Sequence, residues 1–299
     1  MAATSRIRPQ SMMFTLFGDY IRRRGDEIWV GSLIKIASQF GLSQRAVRSA
    51  LSRMGQNGWL RVHRVDNRSY YAPTARAKKV LEEGERRIFT RRSAPWDEQW
   101  HLLVYSIPER KRSIRNELRK QLSWLGYGPL SSGSWICPHD VEADVWSLVQ
   151  GLGIESCVET FSARHEGGSD SRELARRCWD LEGINRRYRD FLTRWEPVLT
   201  EMEGRQDVSD GECFVQRFLL IHEYRKFFFL DPELPPELLP EDWCGIRAGN
   251  LFHCLHQVMG EGANRYFDSV FEGPPARRKS ASRSNAPSAR RGNLARAAS

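Results

Sequence analysis

The residues best spaced to do chemistry lie between Ser43 and Met54. Wound as a helix at about 100° per residue, this segment gathers Val47, Ala50, Leu51 and Met54 on one side and Arg45, Arg48, Ser49 and Ser52 on the other, with Gln44 beside them in the first turn. A guanidinium fork pairs with guanine N7 and O6 or with phosphate, and a serine hydroxyl reaches base or phosphate oxygens. The chemistry on offer is recognition of double-stranded DNA rather than bond-making. An ordinary amphipathic surface helix has the same two faces, so the neighbouring elements decide between the readings. Arg61, His63, Arg64 and Arg68 follow within a short span, and Arg64 and Arg68 are the candidates there for phosphate or minor-groove contact. The competing reading of that span is a merely solubilising hairpin.

Catalytic chemistry has little support. The chain carries no P-loop, G-x-G-x-x-G, G-x-S-x-G or H-E-x-x-H signature. His253, Cys254 and His256, with Cys244 nearby, invite a metal, but the two histidines are three residues apart with no well-spaced partner pair. They read as packing residues. No catalytic residue, metal ligand or cofactor is assigned, and the six cysteines at 137, 157, 178, 213, 244 and 254 contain no C-x-x-C pair.

The elements that must position the basic helix are legible around it. Met12 to Arg24 reads as a helix stopped by Gly25, and Glu27 to Val30 as a short strand. Ser32 is placed to cap a second helix carrying Leu33, Ile36, Ala37 and Phe40 on one face, which Gly41 breaks. Ser43 caps the third, and Gly55 to Gly58 ends it. Trp59 to Val65 and Arg68 to Ala72 are β-rich runs around the two-residue turn Asp66-Asn67. Helix, tight turn, capped helix and hairpin together predict a winged helix-turn-helix. Pro73-Thr74 opens a further helix to about Phe89, and 90–95 reads as a linker.

Beyond it the period changes. Gln99 to Ile107 reads as a buried strand, Lys111 to Leu125 as an amphipathic helix, Gly128 to Ser131 and Gly133 to Cys137 as strands, Val141 to Gln150 as a helix and Glu155 to Phe161 as a last strand. That alternation predicts a small ferredoxin-like α+β domain. From Asp170 the pattern is helical: Glu173 to Met202, Gly211 to Leu230 and Gly245 to Phe271, with an extended Pro-dense connector from Asp231 to Pro240. The expected architecture is therefore multidomain α+β: a winged-helix head with its connecting helix over 1–92, a ferredoxin-like domain over 96–168, a helical C-terminal domain over 169–272 and a disordered basic tail over 273–299.

Charge follows the same division. Residues 1–95 hold 19 Lys and Arg against 7 Asp and Glu, residues 96–271 hold 20 against 29, and residues 272–299 hold 7 against 1. A basic head, a mildly acidic body and a basic tail suit a polyanionic partner at the head. No apolar run approaches the roughly 20 residues of a membrane span, and the expected location is the cytoplasm.

Val30 to Leu33, Gly41 through Met54 and Gly58-Trp59-Leu60 resemble the winged helix of PaaX-type regulators. The likeness continues through Ser106 to Glu109, Gly133 to Ile136, and Asp231-Pro232 through Leu234-Pro235, Glu237 to Pro240 and Asp242-Trp243. It covers roughly residues 11–272. The resemblance implies a homodimeric repressor of phenylacetate-catabolism genes, released from its operator by phenylacetyl-coenzyme A, with ligand-contacting residues left unknown. A paralogous regulator sensing another aromatic or acyl-CoA fits the same likeness. The central region of that family is similar to a CRISPR-associated ferredoxin-like nuclease subunit whose metal-binding acid closes the first strand; here that place falls to Ser106, which disfavours a metal-dependent nuclease.

A chain ending at Glu272 loses seven net positive charges and almost no apolar area. Its thermal unfolding is expected to match that of the full chain, while nonspecific DNA affinity and its salt dependence fall. A large drop in melting temperature would show instead that the tail docks.

Overall fold

The computed structural model describes residues 7–90, 95–205 and 207–275. The chain opens with α1 (Pro9–Leu16), in which Pro9 takes a first-turn position that needs no N–H donor. Its axis continues as a π turn over Phe17–Ile21 and a 3-10 turn over Arg22–Arg24, and Gly25 ends it at φ 93°. Strand β1 (Ile28–Trp29) leads into α2 (Val30–Ser38), then α3 (Gln44–Gln56), the hairpin of β2 (Leu60–Val65) and β3 (Arg68–Pro73), and α4 (Ala75–Phe89). Asp66 and Asn67 have φ of 46° and 62°, the left-handed pair that a two-residue hairpin turn requires. The three strands pair antiparallel in the order β1-β3-β2.

Ser32 does not cap α2. The helix begins three residues earlier, because Trp29 is held extended opposite Tyr70 and so takes the capping position itself. Ser32 is buried, and its hydroxyl accepts from the backbone N–H of Glu272 at 3.1 Å. Gly31 permits the arrangement: a Cβ there would lie 2.3 Å from the Trp29 ring.

The central region runs β4 (Trp100–Tyr105), α5 (Arg112–Trp124), β5 (Gly128–Pro129), β6 (Ser134–Cys137), α6 (Glu142–Leu152) and β7 (Val158–Ala163), with an antiparallel sheet in the order β5-β6-β4-β7. Alternation along the strands splits the side chains between two cores. Leu103, Tyr105, Trp135 and Cys137 pack with Leu118, Leu122, Val145 and Val149 of the two helices. Trp100 and Ile136 face the other way, onto Leu174, Cys178, Leu234 and Leu238. Both faces are covered, which is why β4 reads as a nearly unbroken apolar run.

The second covering layer comes from α7 (Ser171–Cys178) and from the Pro-dense connector, which contains a 3-10 turn at Pro236–Leu238. The helix expected over 173–202 is broken: Trp179 is extended, its ring 6.3 Å from that of Trp100, and Asp180 starts a new helix by accepting from the Gly183 N–H at 3.0 Å. Burying that indole on the sheet outweighs helix continuity. The remaining helices are α8 (Leu181–Gly204), α9 (Asp210–Tyr224), α10 (Gly245–Val258) and α11 (Gly260–Val270), the last two separated at Met259. Among the described residues no helix is long and apolar enough to cross a membrane.

Head and C-terminal helices share one core. Met12, Leu16, Tyr20, Leu33, Val47 and Leu51 belong to the same apolar cluster as Trp195, Phe214, Phe218, Phe252 and Phe267. Within that boundary Asp19, on the π turn, meets Arg217 of α9 at 3.2 Å, each side chain 3% exposed. His256 of α10 places Nε2 2.6 Å from Nη2 of Arg217 and 3.3 Å from Asp19. Burial holds His256 below its usual range. Burial alone would push the Asp19 carboxyl up; the His256 contact and the Arg217 charge outweigh it and hold the group ionised.

Asp19→Asn keeps the shape and strands the Arg217 charge in the core. The expected loss is about 3–5 kcal/mol in urea unfolding, with most of it regained when Asp19→Leu is combined with Arg217→Met. Equal losses in the two variants would mean that charge is not what the site requires.

Candidate nucleic-acid interface

Ser43 starts α3, its hydroxyl accepting from the Ala46 N–H at 3.3 Å. The helix then divides as its periodicity requires. Val47, Ala50 and Leu51 are 0% exposed and Met54 1%, seated on α1 and α2, while Gln44, Arg45, Arg48, Ser49 and Ser52 all lie open to solvent. With its amide oriented by its hydrogen bonds, the Gln44 oxygen accepts from Nε and Nη2 of Arg48 at 3.1 and 3.2 Å, so one polar side chain steadies the other across a helical turn. Among the described residues neither Arg45 nor Arg48 has an ion-pair partner. Two uncompensated guanidiniums on a rigid, fully packed helix present a surface suited to a polyanion.

The hairpin is less uniform than its composition suggests. The pairing register sets Arg64 opposite Ser69 and Val65 opposite Arg68, which sends Arg64 and Arg68 to opposite faces. Arg64 shares its face with Val62, an apolar side chain 56% exposed, and has no ion pair among the described residues. Arg68 is engaged: it pairs with Glu272 at 2.6 Å and lies over the Trp29 ring at 4.5 Å. On the same face Glu27 takes Arg61 at 3.1 Å and stands 3.5 Å from His63. Of the candidate residues, the cations without an ion pair among the described residues are therefore Arg45, Arg48 and Arg64, and the structure does not gather all seven into one set.

Sequence reasoning missed Glu272. The pair it forms with Arg68 joins positions 204 residues apart, and its backbone carbonyl accepts from Trp29 at 2.8 Å. Nothing local to either residue signals this. Elsewhere, the suspected histidine and cysteine grouping disperses: His256 serves the Asp19–Arg217 pair, and His253 packs on Phe252 and Phe89.

The comparisons follow the order of these parts. Residues 8–77 match the family described as PaaX-like protein, 93–175 the PaaX protein central Cas2-like domain, and 179–269 the PaaX-like protein C-terminal domain. The Transcriptional repressor PaaX of Escherichia coli (strain K12) is 32% identical over 257 residues, 85% of this chain and 81% of the relative. The uncharacterized protein Rv0674 from Mycobacterium tuberculosis shares the fold, with a TM-score of 0.55 at 23% identity over 89% of this chain and 99% of that one. The chain belongs to the PaaX family.

The split of α3 into a packed and an open face has a direct consequence for stability. Leu51→Ala is expected to cost about 2–5 kcal/mol in denaturant unfolding, whereas Ser49→Ala and Ser52→Ala are expected to stay within about 0.5 kcal/mol of the parent. A Ser52→Ala loss as large as that of Leu51→Ala would show that this face is packed.

Proposed function

We propose that the protein is a DNA-binding transcriptional repressor and not an enzyme. Its head is a winged helix-turn-helix with α3 as recognition helix and the β2–β3 hairpin as wing, followed by a ferredoxin-like domain and a helical domain. The observation that carries this is the open face of α3, where Arg45 and Arg48, without an ion pair among the described residues, stand beside Ser49 and Ser52. The repressor name of the Escherichia coli relative supports it. A nuclease reading has less to stand on, because the residue following β4, where a metal-binding acid would close the strand, is the uncharged Ser106.

In this reading a homodimer sets two α3 helices in major grooves over a promoter of phenylacetate-catabolism genes. Phenylacetyl-coenzyme A binds the DNA-free arrangement more tightly and shifts the population toward it. A tenfold loss of operator affinity needs about 1.4 kcal/mol of difference between the two arrangements.

A duplex selected from a random library by the full chain supplies the test. Arg48→Ala and Arg45→Ala are each expected to weaken binding to it by about 1–3 kcal/mol in fluorescence anisotropy at fixed salt, with unfolding unchanged. Unchanged affinity in both variants rejects α3 as the reading element. Phenylacetyl-CoA is expected to release the duplex at concentrations where free CoA and phenylacetate at equal ionic strength do not; equal release by free CoA rejects the effector.

A further inference from the structure

Beyond α11 the chain leaves the C-terminal helices and crosses onto the head. Phe271 is extended and still packs on the Phe267 ring at 5.7 Å. Glu272 is then held from three sides. Its N–H donates to the Ser32 hydroxyl at 3.1 Å, its carbonyl accepts from the Trp29 N–H at 2.8 Å, and its carboxylate meets Arg68 at 2.6 Å. Arg68 is itself pressed over the Trp29 ring at 4.5 Å. Gly273 runs beside β1, where a Cβ would lie 3.8 Å from the Glu27 carbonyl, and Gly273 and Pro274 are half-buried. Because Arg68 directly follows the turn at Asp66-Asn67, this strap is moored close to the tip of the wing.

We propose that the strap delivers the basic tail to DNA, and that the tail is an arm following the sugar–phosphate backbone of the duplex on the flank beside the wing. The inference rests on the reading of the head as a DNA-binding element.

The tail expected over 273–299 begins within the described residues, and 276–299 lie outside them. Its chemistry is written in its sequence. Residues 276–299 carry seven Lys and Arg and no Asp or Glu, three of the cations consecutive at Arg277, Arg278 and Lys279. Ser, Ala, Asn, Gly and Pro separate them, and Leu294 is the one large apolar residue. Such a segment offers charge and small polar donors and almost nothing to bury, which suits phosphate contact rather than an apolar protein surface. Mooring adds position. A fully extended chain covers at most about 3.6 Å per residue, so Lys279, seven residues past Glu272, stays within about 25 Å of it. That is less than one turn of duplex, about 34 Å. The three consecutive cations are therefore confined to DNA next to the wing.

The acidic body of the same chain is the competing partner. Around the strap its carboxylates are already engaged: Glu27 with Arg61, Asp268 with Arg24 and Glu272 with Arg68. On the neighbouring helices Asp210 is taken by Arg265 and Glu212 by Arg205. Duplex DNA instead presents a phosphate charge about every 1.7 Å, and releases counter-ions for each one the arm neutralises.

The test compares the full chain with a chain ending at Pro275, which keeps the strap, on the selected duplex embedded in longer DNA. In hydroxyl-radical footprinting the full chain is expected to protect a stretch adjoining the positions whose protection is lost in Arg64→Ala, and the shortened chain to lose that stretch. In anisotropy the shortened chain is expected to bind at least tenfold more weakly, with the slope of log affinity against log salt smaller by about 3 to 6. About twenty Gly and Ser residues inserted between Pro275 and Ala276 keep every charge but release the mooring, and are expected to cost at least about threefold in affinity. Equal footprints from the full and shortened chains overturn the arm, and so does undiminished affinity in the shortened chain. Full affinity and protection in the linker variant overturn the mooring. Tighter binding by the shortened chain assigns the tail to the acidic body instead. In all of these cases loss of binding in Arg45→Ala and Arg48→Ala preserves the repressor reading, whereas failure of the full chain to select any duplex removes both.

Discussion

The buried pairing of Asp19 with Arg217 is the constraint on which the arrangement of this protein depends. Two charges 3% exposed are tolerated only when each has the other, so the π turn after α1 has one permitted position against α9. Such a pair adds little net stability, yet it penalises every arrangement that separates its members. Around it the apolar side chains of the head merge with those of the C-terminal helices. His222 reinforces the seam: its Nδ1 meets the Thr15 hydroxyl at 2.9 Å, and burial pushes its pKa down to about 3, keeping the ring neutral.

The central sheet reaches this seam indirectly. One face is closed by its own helices, the other by α7 and the proline-rich connector. The connector is thus a structural layer, with Leu234 and Leu238 acting as core residues and the prolines holding an extended path that a helix would not follow. From that layer the chain reaches Asp231, which accepts from the Tyr188 hydroxyl at 2.6 Å through its carboxylate and from Arg87 at 2.8 Å through its carbonyl. These contacts tie α4 and α8 to the connector that covers the sheet.

Much of the head was legible because its determinants are local. The two faces of α3 follow from helical period, the hairpin from a two-residue turn, and the Ser43 and Thr74 caps from the need of first-turn N–H groups for acceptors. The opposite facing of Arg64 and Arg68 was also implicit in that turn, since a Val65–Arg68 pair places positions 64 and 68 on different sides. Misreadings occurred where a side chain had a distant partner. Ser32 was drawn from the capping role to the Glu272 backbone, and Trp179 was drawn out of a helix to the Trp100 ring.

The sequence by itself determined where most helices and strands lie, which face of α3 is apolar, and where positive charge concentrates, because each depends on residues within a few positions of one another. Only the tertiary structure decided which of those charges are free. Arg61 and Arg68 are as basic as Arg45 and Arg48, but Glu27 and Glu272 are folded against the first two, and nothing acidic among the described residues reaches the second two. It likewise decided that Phe14, Trp59 and Trp124 border a common space. Aromatic rings far apart along a chain carry no mark of whether they will pack against each other or leave a gap; that is settled by how the layers between them close.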